Sequence, residues 1–569
     1  MALGREVAGR TPYDWACAHA RLRPDEPAVL AWRGGDVRQR LSWGQLRWHA
    51  DQARDGLACY GVKAGDRVIV ALANDVSFVI AILACAAAGA IAVPAPVPAM
   101  RRTDAFRERL TSIARACQPS LVITVGDWIP LVSAVVSAAA PSCQLASYDS
   151  VHAAGNGPPA GPAPARSSDI ALLQFTSGST GSPRGVVVTY SMLAASCGQA
   201  ATVYQERNAD TAVTWVPLYH DMGLVTAVMR PLYSGYPTVI LSPEDFVRSP
   251  GTWLEAIDRC GGTLSSAPDF GYELCVRKVP PEEASQLDLS RWRVARNAGE
   301  VVRQRTLDRF CTRFARAGFR PEALCPSYGL AEATLTVTTC TPSVAALRLV
   351  RREGLRVDAV TAAASVVGHS DCLVSSGIPL PGTSVRIRGN PQDGRVGEVL
   401  IRGPQLSPGY WSGPRCPTFS GQEDGSWYAT GDLGFLWRGH LFLLGRADDT
   451  LVIHGRNYFA ADIARACTEV PGIRPGRVAA FADDRDERRI RLLAEVTTDA
   501  DRSAAGLARI ARASQLALAR KLELYVCDVG LVEPGQLPVT TSGKVRASEA
   551  RRRHAAGMIT PLAVGTPGG

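Results

Sequence analysis

The chain has no C-x-x-C pair: its 15 cysteines stand singly from Cys17 to Cys527, an odd and unclustered set that argues against a disulfide framework and for reduced thiols. Its eight histidines show no zinc spacing. The opening MALGREVAGR lacks the apolar stretch of a signal peptide, so a cytoplasmic location is expected. No G-x-x-x-x-G-K-[ST] pattern fits the glycine-rich stretch described below, which argues against a Walker-type phosphate loop. The one long apolar run, Val76 to Val93, is interrupted by Ser77 and Gly89, is rich in alanine and ends at Pro94 and Pro96. It reads as a buried helix followed by a core strand rather than a membrane span. A single-signed charge track is also missing. The net charge of +9 comes from dispersed arginine, with no basic stripe interleaved with aromatics, so no nucleic-acid partner is expected and anionic ligands or an acidic partner are.

What is present suits a multidomain globular protein. With 569 residues, 46% hydrophobic and 20% charged, the chain exceeds one ordinary core. Gln45 to Tyr60 has helical apolar spacing and Arg67 to Leu72 reads as a strand, so the fold class is α/β with several layers. The Pro/Gly/Ala-rich text between His152 and Ser168 reads as an exposed connection inside a large domain.

LLQFTSGSTGSPRGVVV, from Leu172 to Val188, is the most informative stretch. Thr176, Ser177, Ser179 and Thr180 alternate with Gly178 and Gly181, and Arg184 follows. Glycines free the backbone to turn its N–H groups into one concavity, the hydroxyls add donors, and an arginine adds a fixed charge, a composition suited to phosphate. A polar surface hairpin is the alternative. Val186-Val187-Val188 reads as strand, unlike the helix after a Walker loop.

Other stretches carry candidates that are weak singly. TWVPLYHDMGL, Thr214 to Leu224, sets His220 and Asp221 after an apolar run, with Met222-Gly223-Leu224 opening an apolar helix; a structural pair is the plainer alternative. SSAPDFGYELCV, Ser265 to Val276, reads as a turn into a helix with Asp269 and Phe270 near its start. RNAGE spans Arg296 to Glu300. In SYGLAEATLTV, Ser327 to Val337, Tyr328 and Gly329 offer an aromatic edge beside approachable backbone, and Glu332 offers a hard oxygen for magnesium. YATGDLG, Tyr428 to Gly434, holds Asp432 in a turn where a carboxylate can take ribose hydroxyls. LLGRADDTLVIHGRN runs from Leu443 to Asn457, and PVTTSGKVR, Pro538 to Arg546, ends a Thr-Ser-Gly turn on Lys544.

In this order and rough spacing, the loop, YHDMGL, YGLAEAT, YATGDLG, GRADD and TTSGK resemble the adenylate-forming superfamily of acyl-CoA synthetases, luciferases and adenylation domains. The likeness runs from about Leu41 to Arg553. YGLAEAT, the APDFGYELCVRKV segment from Ala267 and extra chain at about 342–371 resemble its fatty acyl-AMP ligase branch. The resemblance implies a large N-terminal domain, 1–445, of α/β layers with a small β-barrel-like part, and a small mobile C-terminal α+β domain, 446–569. It implies ATP and magnesium as cofactors, and activation of a carboxylic acid, in this branch a fatty acid, to acyl-AMP. The acyl group would then pass to the phosphopantetheine thiol of an acidic acyl carrier protein.

Residue by residue, the resemblance makes Lys544, His220 and Glu332 the expected catalytic set, with Glu332 the magnesium ligand. Thr176, Ser177, Gly178, Ser179, Thr180, Gly181 and Arg184 would take phosphates; Asn297, Ala298, Gly299, Ser327, Tyr328 and Gly329 would lie along the nucleotide; Asp432 and Arg446 would hold the ribose. Asp221, Met222, Gly223, Asp269 and Phe270 would line the acyl pocket, and Asp448 would be the hinge. The insertion would hinder coenzyme A use, or be a surface elaboration. The helix expected over Ala504 to Leu522 turns Leu507, Ile510, Ala511, Leu518 and Leu522 to one face and Arg509, Arg512 and Arg520 to the other. That second face is either solvated or a carrier-protein dock.

The chain departs from the branch pattern in two places. Arg296-Asn297-Ala298-Gly299-Glu300-Val301 stands where the branch reads F-N-G-A-E-P. Asp269 and Gly271 replace an asparagine and an alanine, which suggests an acid with a polar or amino group. An acyl- or aryl-CoA ligase, a stand-alone amino-acid adenylation enzyme and an inactive scaffold are the other readings; a scaffold would be expected to have lost Lys544 or Glu332.

Overall fold

The computed structural model describes residues 11–97, 103–156, 161–176, 183–342, 348–350, 361–362, 372–389, 393–411, 427–447, 450–453, 456–468, 470–483, 489–522, 524–525, 527–539 and 545–566. The chain forms two compact units. The larger lies within Met1–Thr176, Pro183–Thr430 and Phe435–Leu443, and the smaller includes Gly431–Gly434 and Leu444–Gly569.

Two sheets with helices around them make the larger unit. One has six strands, in the order Gln144–Ser147, Leu121–Thr124, Arg67–Ala71, Ile91–Pro94, Ile170–Thr176, Arg184–Thr189. All pair in parallel except the last two, which form an antiparallel ladder. The parallel strands are short runs of Val, Ile, Leu and Ala, as expected where both sheet faces are covered. The long apolar run forms the buried helix Val76–Ala87, started by the Asp75 carboxylate on the Val76 N–H, and the strand Ile91–Pro94. Among the described residues no helix is long and apolar enough to cross a membrane.

The second sheet has nine strands, in the order Ile378–Pro379, Thr336–Thr339, Leu324–Gly329, Val294–Asn297, Leu264–Ala267, Ala212–Thr214, Thr238–Ile240, Pro27–Arg33, Asp36–Ser42. The six strands from Leu324–Gly329 through Pro27–Arg33 run parallel. Beneath them Trp253, Tyr272, Trp292 and Phe310 pack edge to face with ring centroids 5.1–6.1 Å apart. Where a barrel-like part is expected, Ser384–Ile387, Gly397–Arg402, Tyr428–Trp437 and His440–Arg446 form a four-stranded sheet. Within the extra chain at 342–371, the described pieces Arg348–Val350 and Thr361–Ala362 pair antiparallel, and the first also pairs with Cys372–Val374.

In the smaller unit, Ile473–Ala482, Ile490–Val496, Cys527–Val532 and Ala563–Gly565 form one sheet, with the helices Ala460–Thr468, Ala504–Leu522 and Ala547–Ala555. Ala504–Leu522 buries Leu507, Ile510, Ala511 and Leu518 and leaves Arg509, Arg512 and Arg520 exposed.

Candidate active site

Four neighbouring parallel strands bring four sequence motifs to one edge of the nine-stranded sheet. Ala212–Thr214 leads to His220-Asp221, Leu264–Ala267 leads to Asp269, Val294–Asn297 ends in the Asn297-Ala298-Gly299 turn, and Leu324–Gly329 ends in Tyr328-Gly329. The carboxyl ends of parallel strands are where open α/β sheets place ligands.

Close backbone approaches fix the turns there. A Cβ on Gly329 would lie 1.7 Å from the Leu335 carbonyl oxygen, and one on Gly223 would lie 2.2 Å from that of Pro217. Gly299 has φ +87°, and a Cβ there would meet Met222 Cε at 2.9 Å, so the RNAGE and HDMGL stretches touch. Asn74 holds the segment before His220, donating to the Val216 carbonyl at 2.9 Å and accepting from the Leu218 N–H at 2.8 Å. The helix Asp221–Leu224 continues as a π-turn, Val225–Met229, a form frequent at functional sites.

Arg184, Tyr410 and Glu332 form a second constellation. Thr176 and Arg184 face each other as the last pair of the hairpin ladder before its connecting loop, and the segment at Tyr410 lies beside Val186. The Arg184 guanidinium sits 4.5 Å from the Tyr410 ring centroid, and its buried Nε has no hydrogen-bond partner among the described residues. The Tyr410 hydroxyl donates to Glu332 Oε1 at 2.7 Å. Burial, with Glu332 adding to it, pushes the Tyr410 hydroxyl up to about 12, so it remains a donor at neutral pH. The Glu332 turn is held by Ser407, whose N–H donates to the Glu332 carbonyl at 2.8 Å. Thr334, at φ +62°, donates its hydroxyl to the Gln405 carbonyl at 2.8 Å. A β-branched residue at that φ is strained and persists only where its surroundings hold it.

His220 Nδ1 lies 2.5 Å from Asp221 Oδ1 without hydrogen-bond geometry. Burial pushes Asp221 up, but His220, the Met222 N–H and Arg296 outweigh it and hold the carboxyl below its ordinary value. Ser327 is buried, its hydroxyl donating to the Cys325 carbonyl at 2.9 Å and paired with Thr339 Oγ1 at 2.7 Å. Phe270 packs edge-on against Trp215, with centroids 5.7 Å apart.

Asp269, expected in the acyl pocket, is fully buried and its carboxylate is in use. It accepts from Asn297 Nδ2 at 3.0 Å, the Arg303 N–H at 3.1 Å, Arg303 Nη1 at 3.3 Å and Thr306 Oγ1 at 2.9 Å. The same contact turns the Asn297 amide toward Asp269. Asp269 therefore ties the start of its helix to the next strand and offers no free oxygen to a substrate amine. Burial pushes its pKa from 3.8 to about 6, against the Arg303 charge. The folded value lies above the unfolded one, so its contribution is fully present below about pH 4 and is lost as pH rises through about 6. We expect the stability advantage of wild type over Asp269→Asn to shrink by roughly 2 kcal/mol between pH 4.5 and 7.5, read by chemical denaturation. A pH-independent difference would show that the group does not titrate with folding.

In the smaller unit, Arg446 Nε lies 3.4 Å from Asp432 Oδ1, beside Gly431 at φ +74°. Ser177, Gly178, Ser179, Thr180, Gly181, Asp448 and Lys544 lie outside the described residues. No group of three or more metal-binding side chains occurs among the described residues.

The model of the AMP-binding enzyme family matches residues 17–411. A 4-hydroxyphenylalkanoate adenylyltransferase of Mycobacterium marinum is 34% identical over 91% of this chain and 86% of its own. The chain belongs to the AMP-binding enzyme family, in its fatty acyl-AMP ligase branch. A medium-chain-fatty-acid–[acyl-carrier-protein] ligase of Moorena producens, JamA, is 32% identical over 88% of this chain and 87% of its own. Among solved structures, one from work on the fatty acyl-adenylate ligases of E. coli and L. pneumophila superposes with a TM-score of 0.87 at 30% identity, covering 96% of this chain and 98% of that one.

Two residues of this ligase carry more than their sequence signals announced. Tyr410 sits in SPGYW, with no motif to mark it, and only the fold brings it between Arg184 and Glu332. Arg296 is visible in the sequence as a departure, but the groups that act on its charge, Tyr204, Asp221 and Arg230, lie more than 60 residues away in the chain.

Proposed function

We propose that this enzyme activates a carboxylic acid with ATP to the acyl-AMP and passes the acyl group to the thiol of a carrier protein. The observation that supports it most is the convergence of the strand-end motifs, together with the Arg184–Tyr410–Glu332 set, in a member of the fatty acyl-AMP ligase branch. The substrate carboxylate forms a bond to the α-phosphorus of ATP as the bond to pyrophosphate breaks. A thiol then adds to the acyl carbonyl, and AMP leaves with the P–O bond intact. The difficulty in the first step is anion meeting anion, and preorganised cations and N–H donors lower it.

In this reading Thr176 and the glycine-serine loop hold the phosphates, and Arg184, steadied over Tyr410, faces them. Tyr328 lies along the base, and Asp432 with Arg446 takes the ribose. Lys544 bridges the carboxylate and the phosphoryl oxygens, His220 borders the reacting carboxyl, and Met222 with Phe270 meets the acyl chain. Glu332 fits a magnesium ion, because its hard carboxylate is oriented by a neutral donor on one oxygen. Bound there, the ion would neutralise phosphate charge. Division of the chain into two units fits a hinge at Asp448 that removes Lys544 before the thiol arrives. The insertion at 342–371 disfavours the pose needed for coenzyme A, and the name of the Moorena relative supports a carrier protein as acceptor.

Acid-dependent ATP–pyrophosphate exchange over a panel of carboxylic acids tests the first step. The mass gain on a holo carrier protein, against acyl-CoA formation, tests the second; acyl-CoA as the sole product would overturn the acceptor. Tyr410→Phe keeps the ring under Arg184 and removes the hydrogen bond to Glu332. We expect exchange to fall about tenfold, the worth of one hydrogen bond to a charged group, with an unchanged melting temperature. Full activity would show that Glu332 needs no orientation from Tyr410.

A further inference from the structure

Arg296 is 1% exposed, and among the described residues none of its three guanidinium nitrogens meets hydrogen-bond geometry, although the Tyr204 hydroxyl lies close enough to support its charge. Lone buried charges are normally paired, and an arginine carries five donors in a fixed fork. The acids around it have contacts of their own, and none of them meets the fork with hydrogen-bond geometry among the described residues. Asp221 lies 2.5 Å from His220 Nδ1 and accepts from the Met222 N–H at 2.7 Å. Glu206 accepts from Arg230 Nε at 2.7 Å and from Ser234 Oγ at 2.8 Å. Tyr204, the other neighbour, shares its hydroxyl with Thr339 Oγ1 at 2.7 Å and lies under Arg230. Burial lowers the guanidinium pKa and Arg230 adds to that, while Tyr204 and Asp221 oppose it.

The position of Arg296 is as informative as its isolation. It precedes the Asn297-Ala298-Gly299 turn, on the strand face opposite Asn297, and so looks away from Asp269 and toward the Asp221 side of the sheet edge. Gly299 and Met222 close the same corner. The fork therefore waits beside the residues expected to meet the acyl chain.

We propose that Arg296 selects the substrate: the preferred acid carries, besides the carboxyl that is adenylated, a second oxygen acceptor on its chain that takes the unused guanidinium N–H groups. This rests on the adenylation reading above. It reverses the polarity suggested by Asp269, because the free polar group at this site is a cation with donors, which suits a hydroxyl, carbonyl or carboxylate oxygen and repels an amine. A plain alkyl acid would leave the fork buried and unpaired, and sites built to hydrogen-bond a substrate oxygen reject analogues lacking it strongly.

The test compares wild type with Arg296→Met in ATP–pyrophosphate exchange, using alkyl, hydroxy, oxo and dicarboxylic acids of matched length. Wild type is expected to favour at least one oxygenated acid over its alkyl match by about 10² or more in kcat/KM. Arg296→Met should bring that ratio near one or invert it, mainly through KM for the acid, with KM for ATP unchanged. The best arm names the acceptor. Removing a buried charge whose fork makes no well-formed hydrogen bond should also leave the melting temperature of the free protein equal or higher, where a structural arginine would lower it. If the methionine variant does not fold, Arg296→Lys, which keeps the charge and loses the fork, should retain part of the preference. An alkyl acid used as well as its oxygenated matches, or a ratio unchanged in the variants, overturns the proposal. Exchange with no acid at all overturns the adenylation reading and this one together.

Discussion

Lys544→Ala is expected to lower acid-dependent ATP–pyrophosphate exchange by at least ~10², with the folded state intact, because one preorganised charge contact to the developing phosphoryl charge is worth that much. The barrier in adenylation is the approach of two anions, and a lysine that reaches both the incoming carboxylate and the phosphoryl oxygens acts at the point of greatest repulsion. Arg184 cannot stand in for it, because its guanidinium is held over the Tyr410 ring at 4.5 Å. The variant should still pass the acyl group from preformed acyl-AMP to the acceptor thiol, since the second step needs the lysine withdrawn. Unchanged pyrophosphate release by Lys544→Ala would remove the residue from the first step.

Gly329→Ala carries the second large effect, on stability. The added methyl would fall 1.7 Å from the Leu335 carbonyl oxygen, which already accepts from the Leu330 N–H at 2.8 Å. No rotamer relieves that overlap, because both sides are backbone, so the Tyr328–Thr336 turn must open. Glu332 rides on this turn, and the strained Thr334 leaves it little slack. We expect a loss above ~4 kcal/mol, seen as a lower denaturant midpoint for the larger unit. Any folded fraction should exchange pyrophosphate poorly, because Glu332 moves with the turn. A variant of native stability would mean that the hairpin relaxes by more than an ångström at no cost.

The strands and helices near the site were legible because their apolar periods are clean. Val76 to Val93 splits into a helix and a strand at Gly89, and Ala504 to Leu522 turns Leu507 and Leu518 inward and Arg509, Arg512 and Arg520 out. Hydroxyl-glycine text and the ordered motifs likewise pointed to an adenylating ligase, since that chemistry depends on residue types that are rare in combination. Side-chain commitments were not legible. Asp269 looked like a pocket acid, yet Asn297, Arg303 and Thr306 consume it, and those donors lie 28 to 37 residues further along the chain. Tyr410 showed no signal, since its partners, Arg184 and Glu332, lie far from it in sequence.

By itself, then, the sequence determined the class of fold, the family and the kind of bond made, because these follow from periodicity and from local runs of donors and acids. Tertiary structure alone decided which polar groups are spent and which are free. A hydrogen bond is satisfied by whatever lies within 3 Å, and that neighbour is set by the packing of distant strands and helices. Asp269 is therefore closed and Arg296 open, although each looks equally available when read along the chain.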